Sequence, residues 1–192
     1  MYIDACLNSP EDSKQLSTMI LRAIQLGYRS LVLNHVVNDN FQPLNNCKTA
    51  SPKLDVVRSI LNSEQIQTIL RQQSLNPSNI KIYKRITIVA QKEATLLKLK
   101  PDNQNMKQFD IVAVAPQNEQ VFKTAVAHSE VEVIQMPSCE DWGYRARVPN
   151  VRGCIKRGIK FELCYGEAFQ GIFGDMDLIH PQEGILQPIC GI

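Results

Sequence analysis

Asp4 lies in the apolar segment YIDAC, and His35 ends the buried-type strand segment SLVLNH. Carboxylate and imidazole groups at strand ends are the ligands with which hydrolases hold ions that generate hydroxide and clamp phosphate. No HxH pair follows Asp4, and His128 and His180, the other histidines, fall in no motif. Two ligands from different strands are too few for a working centre. Asp4 and His35 therefore read as vestigial metal-site positions, most simply a hydrogen-bonded pair at one mouth of the fold. No metal or other cofactor is expected. A metal-dependent phosphoesterase is the alternative.

A second candidate is FELCY, residues 161–165. Strand alternation puts Phe161, Leu163 and Tyr165 on one face and Glu162 and Cys164 on the other. A nucleophilic cysteine needs a nearby base and a lowered pKa. No histidine stands near Cys164 in sequence, so packing is the better reading. Glu162 is an acid inside a strand that should be buried, and such a group requires a partner. Arg85 or Lys84, on the most strongly patterned strand, meets that need; we take Glu162 and Arg85 as a structural ion pair.

The third constellation is basic. Residues 143–161 hold six basic residues and no acid, among them Arg145, Arg147, Arg152, Lys156 and Arg157. Lys81, Lys84 and Arg85 form a second group. Such side chains give phosphate contacts that are sequence-independent and salt-sensitive. Trp142 and Tyr144 beside them are of a kind that stacks on unpaired bases. RNA contact and a plain solvated basic face both fit this pattern, and a protein–protein scaffold without RNA contact is a further alternative.

The elements that must position these residues alternate. Strands are expected at 2–6, 30–35, 80–89, 109–116, 131–136 and 159–165. Helices are expected after Asn8 or Ser9 with Gly27 as the stop, over 54–70 with a break near Asn62–Ser63, over 92–99, after Asn118, and over 151–157 with Gly158 as the stop. Residues 36–52 and 137–150 read as loops. Strands alternating with helices imply βαβ units and a parallel sheet. There is no GxGxxG and no GxxxxGK[ST], so a nucleotide-binding doubly wound fold lacks its usual support. A parallel β/α barrel fits better, but the chain supplies about six units where a full barrel needs eight. The 27 residues from Gly166 onward hold five glycines and two prolines and show no period.

Composition agrees with one globular domain. Apolar residues make up 44% and charged residues 21% of the 192. No apolar run approaches the ~20 residues of a membrane span. The segment MYIDACLNSPED has neither a basic nor an apolar targeting region. The six cysteines form no CxxC and no zinc spacing, and read as reduced thiols. With a net charge of +2, it is the local basic clusters, not the total, that suit a polyanion.

Four pieces in order resemble one family. They are YIDACL, LGYRSLVLNHVV at 26–37, IKIYKRITIV followed by FDIVAVAPQNEQVFKTA, and KRGIKFELCYG at 156–166. This set is similar to the thirty-kilodalton protein subunit family shared by ribonuclease P and ribonuclease MRP. The resemblance implies a TIM-barrel-like α/β fold related to the polymerase-and-histidinol-phosphatase (PHP) hydrolases, without their metal centre. It implies a non-catalytic subunit of a ribonucleoprotein that removes the 5′ leader from precursor tRNA, its RNA carrying the chemistry, with rRNA processing through MRP. It further implies contact with that RNA, a small ferredoxin-like partner subunit, other protein subunits, and residence in the nucleus and nucleolus. The family continues after Tyr165 with a helix and more strands. Here the pattern lapses, so we expect a partial barrel over 1–166 and a divergent, irregular tail over 167–192.

Overall fold

The computed structural model describes residues 2–8, 12–39, 54–100, 103, 106–137 and 146–164, with backbone alone for 2–5, 54, 137 and 164. Six strands alternate with six helices. The strands are β1 (Tyr2–Asn8), β2 (Tyr28–Asn38), β3 (Lys81–Ala90), β4 (Ile111–Pro116), β5 (Val133–Pro137) and β6 (Lys160–Cys164). The helices are α1 (Ser13–Gln25), α2 (Leu54–Leu61), α3 (Glu64–Gln72), α4 (Glu93–Leu96), α5 (Glu119–Ala127) and α6 (Val148–Lys156). All strand pairs are parallel, in the order β1-β2-β3-β4-β5-β6. Chain order and spatial order coincide, as in a β/α barrel that has not closed. The sheet curls as an incomplete TIM-like barrel, with β1 and β6 at its edges among the described residues.

The apolar residues explain this layering. Leu16, Ile20, Ala23 and Ile24 recur at helical spacing on α1 and are buried. They pack with Leu31 and Leu33 of β2 and with Val57, Ile60, Ile66 and Leu70 of α2 and α3. A second cluster joins Ile86, Ile88 and Ala90 of β3 to Val114, Ile134 and Met136 and to Val121, Phe122 and Ala125 of α5. Both clusters lie between sheet and helices. Gly27 and Gly158 take φ of 95° and 83° where α1 and α6 end, the left-handed turn that glycine adopts without steric cost.

Three local readings need correction. The α1 cap is Asp12, whose carboxylate accepts the Lys14 backbone N–H at 3.0 Å; Asn8 instead ends β1. β2 runs on to Asn38, because the alternation of Leu31, Leu33, His35 and Val37 continues past the expected end. α6 starts at Val148, not Val151, since Pro149 fits the first turn of a helix as well as a loop. Residues 40–52 of one expected loop, 138–145 of the other and the expected tail at 167–192 lie outside the described residues.

Candidate functional site

The inner face of the sheet carries buried polar side chains beside apolar ones such as Val32 and Ala113. In a closed barrel the lumen is usually filled by layers of branched apolar side chains. Here Asn34, Arg85, Thr87 and Glu162 are buried there, with exposures of 2%, 1%, 1% and 5%. Parity fixes the face. Leu31 and Leu33 of β2 and Ile86 and Ile88 of β3 belong to the helix-side clusters, so the alternating residues Asn34, Arg85 and Thr87 point inward.

The side chains form one chain of hydrogen bonds. Asn34 Nδ2 donates to Asn8 Oδ1 at 2.8 Å. The Thr87 hydroxyl donates to Asn34 Oδ1 at 2.6 Å and accepts from Arg85 Nε at 3.0 Å. Arg85 Nη1 and Nη2 donate to Glu162 Oε1 and Oε2 at 3.0 and 2.5 Å, a fork-to-fork pair. Arg85 Nη2 also reaches Gln135 Oε1 at 3.5 Å. The chain thus links β1, β2, β3, β5 and β6.

The Arg85–Glu162 contact measures how far the sheet curls. Strand pairing puts Thr87, Ala113, Val133 and Lys160 in one row. Arg85 precedes that row by two residues and Glu162 follows it by two. In a flat sheet their Cα atoms would lie about 20 Å apart, given ~4.8 Å between strands and ~3.3 Å per residue. Two side chains cannot span that distance, so the pair is a chord across a curved and staggered sheet. Ala113, fully buried between them, leaves the guanidinium room to cross.

This placement corrects the assignment of Arg85 to RNA contact. Its guanidinium is buried and committed to Glu162 and Thr87, so it has no surface to offer a phosphate. The other cations are dispersed. Lys81 is exposed at the start of β3, and Lys84 is half-buried, its backbone N–H bound to the Asp110 carboxylate at 2.7 Å. Arg147 precedes α6 and stands 3.5 Å from Glu119, which also holds Lys123 at 2.9 Å. These two cations keep the Glu119 carboxyl below the usual range, Lys123 foremost. Arg152 and Lys156 are exposed on α6. Arg157 lies beyond the other end of the helix, about 15 Å from Arg147 at 1.5 Å per residue. Its guanidinium donates to the carbonyl oxygens of Val126 and His128, closing the C-terminus of α5. One contiguous run in sequence is therefore split between two ends of the barrel. Arg145, Trp142 and Tyr144 lie outside the described residues.

His35 turns away from the lumen. Its ring stacks on Phe109 with centroids 6.3 Å apart and planes at 17°, on the helix side of β2. Burial pushes its pKa down. His35 also lies three residues before the end of β2, so it is not at the strand's mouth where a barrel gathers its ligands. Asp4 pairs with Leu31 through the β1–β2 ladder; its side chain is outside the described atoms. Among the described residues, no three His, Cys, Asp or Glu side chains converge as metal ligands.

The mouth at the strand C-termini is stitched by a group that sequence patterning did not single out. The Asp39 carboxylate accepts the backbone N–H groups of Gln91 and Lys92 at 3.1 and 3.3 Å and the Thr95 hydroxyl at 2.7 Å. Asn118, which also caps α5 at 2.9 Å, donates to the Gln91 carbonyl at 2.8 Å. Partial burial raises the Asp39 pKa, but the Thr95, Gln91 and Lys92 hydrogen bonds and the Lys92 charge together outweigh it and lower the pKa. A depressed carboxyl contributes stability that is present above the ordinary aspartate range and lost as pH falls through the folded value. Asp39→Asn is expected to cost about 1 kcal/mol at pH 7. That difference should shrink toward zero as urea melts are repeated at pH values falling below the ordinary aspartate range. A gap that stays constant with pH would sink this account.

Comparison with known proteins supplies the rest. A family model described as "RNase P subunit p30" matches residues 1–179, extending beyond Gly166, where the motif resemblance stops. The chain is 29% identical over 170 residues to ribonuclease P protein subunit p30 of Mus musculus, which covers 88% of this chain and 59% of that protein. It is 24% identical over 177 residues to ribonuclease P protein subunit drpp30 of Dictyostelium discoideum, covering 91% of this chain and 46% of that protein. An 85-residue stretch is 33% identical to Protein GAMETOPHYTE DEFECTIVE 1 of Arabidopsis thaliana, covering 44% of this chain and 15% of that protein. The chain thus spans about half the length of the first two relatives.

Proposed function

The chain belongs to the RNase P subunit p30 family, and on that premise we propose that it serves as a non-catalytic protein subunit of a ribonuclease P ribonucleoprotein. In this reading the complex removes the 5′ leader from precursor tRNA, and its RNA carries the chemistry. A ribonuclease MRP complex is served in the same way. The observation that carries the reading is the family match over residues 1–179. The small ferredoxin-like subunit, the catalytic RNA and a nuclear, nucleolar location belong to the same proposal.

Within it, Arg152 and Lys156 on α6 are the cations best placed to meet phosphate, being exposed, with Lys81 and Lys84 as a second group. Each phosphate neutralised releases counterions, so the logarithm of affinity falls with the logarithm of salt concentration by about 0.7 per contact on single strands. Replacing Arg152 and Lys156 together by Ala should weaken RNA binding and reduce that slope by about 1–1.5. Fluorescence anisotropy of a labelled RNA across a salt series reads both. An affinity indifferent to salt, or untouched by the double substitution, would overturn the RNA contact. Recovery of the catalytic RNA with the tagged chain from cells tests membership of the complex.

A further inference from the structure

His128 belongs neither to the lumen chain nor to the exposed cations. It caps the C-terminus of α5 and is half-buried in the turn that leads to β5. The far end of that turn is tied to the sheet. Glu132 N–H donates to the Val112 carbonyl at 3.0 Å, and Lys160 N–H donates to the Glu132 carbonyl at 2.9 Å. The near end depends on His128 itself. Its Nδ1 accepts the Glu130 backbone N–H at 3.2 Å. An imidazole nitrogen accepts only when it carries no proton, so the ring is neutral with its hydrogen on Nε2. The His128 carbonyl accepts Arg157 Nη2 at 2.7 Å, while Arg157 Nη1 donates to the Val126 carbonyl. A side chain from the end of α6 thus grips the same turn that the neutral ring braces.

The groups around the ring oppose one another. It faces the Glu130 carboxylate from its own turn, the Arg157 guanidinium from the end of α6 and the Leu96 carbonyl from α4. Burial foremost pushes the His128 pKa down, and the Arg157 charge adds to it; Glu130 and Leu96 pull the other way without outweighing them. A histidine depressed in this way contributes stability that is complete above the ordinary histidine range and lost as pH falls through the folded value. Protonation also changes the geometry. Nδ1 becomes a donor and meets the Glu130 N–H, another donor. Imidazolium and guanidinium, two like charges, then share one turn. Arg157 is the easier of the two to move, because it is exposed and its guanidinium can exchange carbonyl partners for water.

We propose that His128 is a proton-operated clamp on Arg157: neutral, it holds the turn and the guanidinium closed on α5; protonated, it lets the guanidinium go. Released, Arg157 joins Lys156 and Arg152 of α6 as a third cation for phosphate; this second step rests on the RNA reading above. RNA affinity is then linked to proton uptake, and bound phosphate in return holds the proton on His128.

The test uses the full chain between about pH 5 and 8. NMR follows the His128 ring, the Glu130 amide and Arg157 Nε. The same signals are followed in His128→Asn, whose amide oxygen replaces Nδ1 as the acceptor and takes up no proton. The clamp predicts that the Glu130 amide and Arg157 Nε of the native chain shift together with the ring, at a midpoint below about 6.5. Both should stay flat in His128→Asn. Arg157 Nε signals that stand still while the ring titrates overturn the proposal, as does an equal pH response in His128→Asn. Binding of a short oligouridylate is measured across the same range at one salt concentration. It should tighten severalfold as pH falls, and Arg157→Gln should abolish that gain. A clamp that opens while affinity stays constant with pH overturns the linkage to RNA. A clamp that opens in a chain that binds no oligouridylate sustains the clamp and rejects the RNA reading.

Discussion

Glu162→Ala is expected to lower the stability of this protein by about 3–5 kcal/mol, the cost of breaking a buried ion pair by removing one member. That is a large share of the ~5–15 kcal/mol by which domains are stable at all. Arg85 is 1% exposed, and Thr87 and Gln135 are among the other groups its guanidinium reaches. Arg85→Met should cost less, because methionine fills most of the volume and the carboxylate it leaves, at 5% exposure, lies nearer to water than the guanidinium at 1%. The double variant Arg85→Met with Glu162→Leu is the decisive one. Replacing both ions by apolar groups of similar size is often neutral or stabilising in a buried site. We therefore expect it to be more stable than Glu162→Ala by at least 2 kcal/mol. Urea unfolding followed by circular dichroism supplies the cycle. Additive single effects, each below about 1 kcal/mol, would show that the pair does not hold β6 to β3.

The consequence of the double variant for shape is separate from its stability. A hydrophobic pair fills the chord but does not fix its length or direction, whereas a forked ion pair does. Whether curvature depends on the charges can be read from the exchange rates of β6, the edge strand farthest from α1. Faster β6 exchange in an otherwise stable double variant would mean that the ions specify the curl and the apolar contacts supply the stability.

Part of this was legible in the residues. Alternating apolar segments separated by amphipathic ones left little choice but a parallel sheet, and the helices broke where Gly27, Asn62–Ser63 and Gly158 allowed. An acid in a strand as apolar as β6 required a cation, and β3 held the strongest candidates. The rest depended on parity and distance that spacing does not carry. Arg85 looked like one of three neighbouring cations, yet alternation sends it inward while Lys81 stays exposed. His35 sits one residue from Asn34 and therefore on the other side of the sheet, against Phe109 from a segment 74 positions away. The basic run at 145–157 read as one patch because sequence proximity was taken for spatial proximity; a nine-residue helix carries its two ends to opposite rims. Asp39 gave no signal, since its partners are two backbone N–H groups of the β3–α4 turn and the Thr95 hydroxyl, all more than 50 positions away.

Thr87→Val is expected to cost about 2–4 kcal/mol although it changes the side-chain volume hardly at all. The hydroxyl is the hinge of the lumen chain: it accepts from Arg85 Nε and donates to Asn34 Oδ1. Valine removes both bonds and leaves a charged donor and an amide oxygen facing a methyl group at a site that is 1% exposed. Each unsatisfied group costs about 1–3 kcal/mol, more where one is charged. Thr87→Ser keeps the hydroxyl and loses one methyl, so it should cost only about 1 kcal/mol. The contrast between the two separates hydrogen bonding from packing. It also decides whether Thr87 helps to aim Arg85 at Glu162. If the guanidinium needs Thr87 to aim it across the lumen, Thr87→Val and Glu162→Ala will be non-additive by 0.5–3 kcal/mol, as for groups in one network. If the two add, the ion pair forms without the hydroxyl, and Asn8, Asn34 and Thr87 are a separate tie between β1, β2 and β3. Coupling would mean that a contact begun on the first strand determines where the last described strand lies.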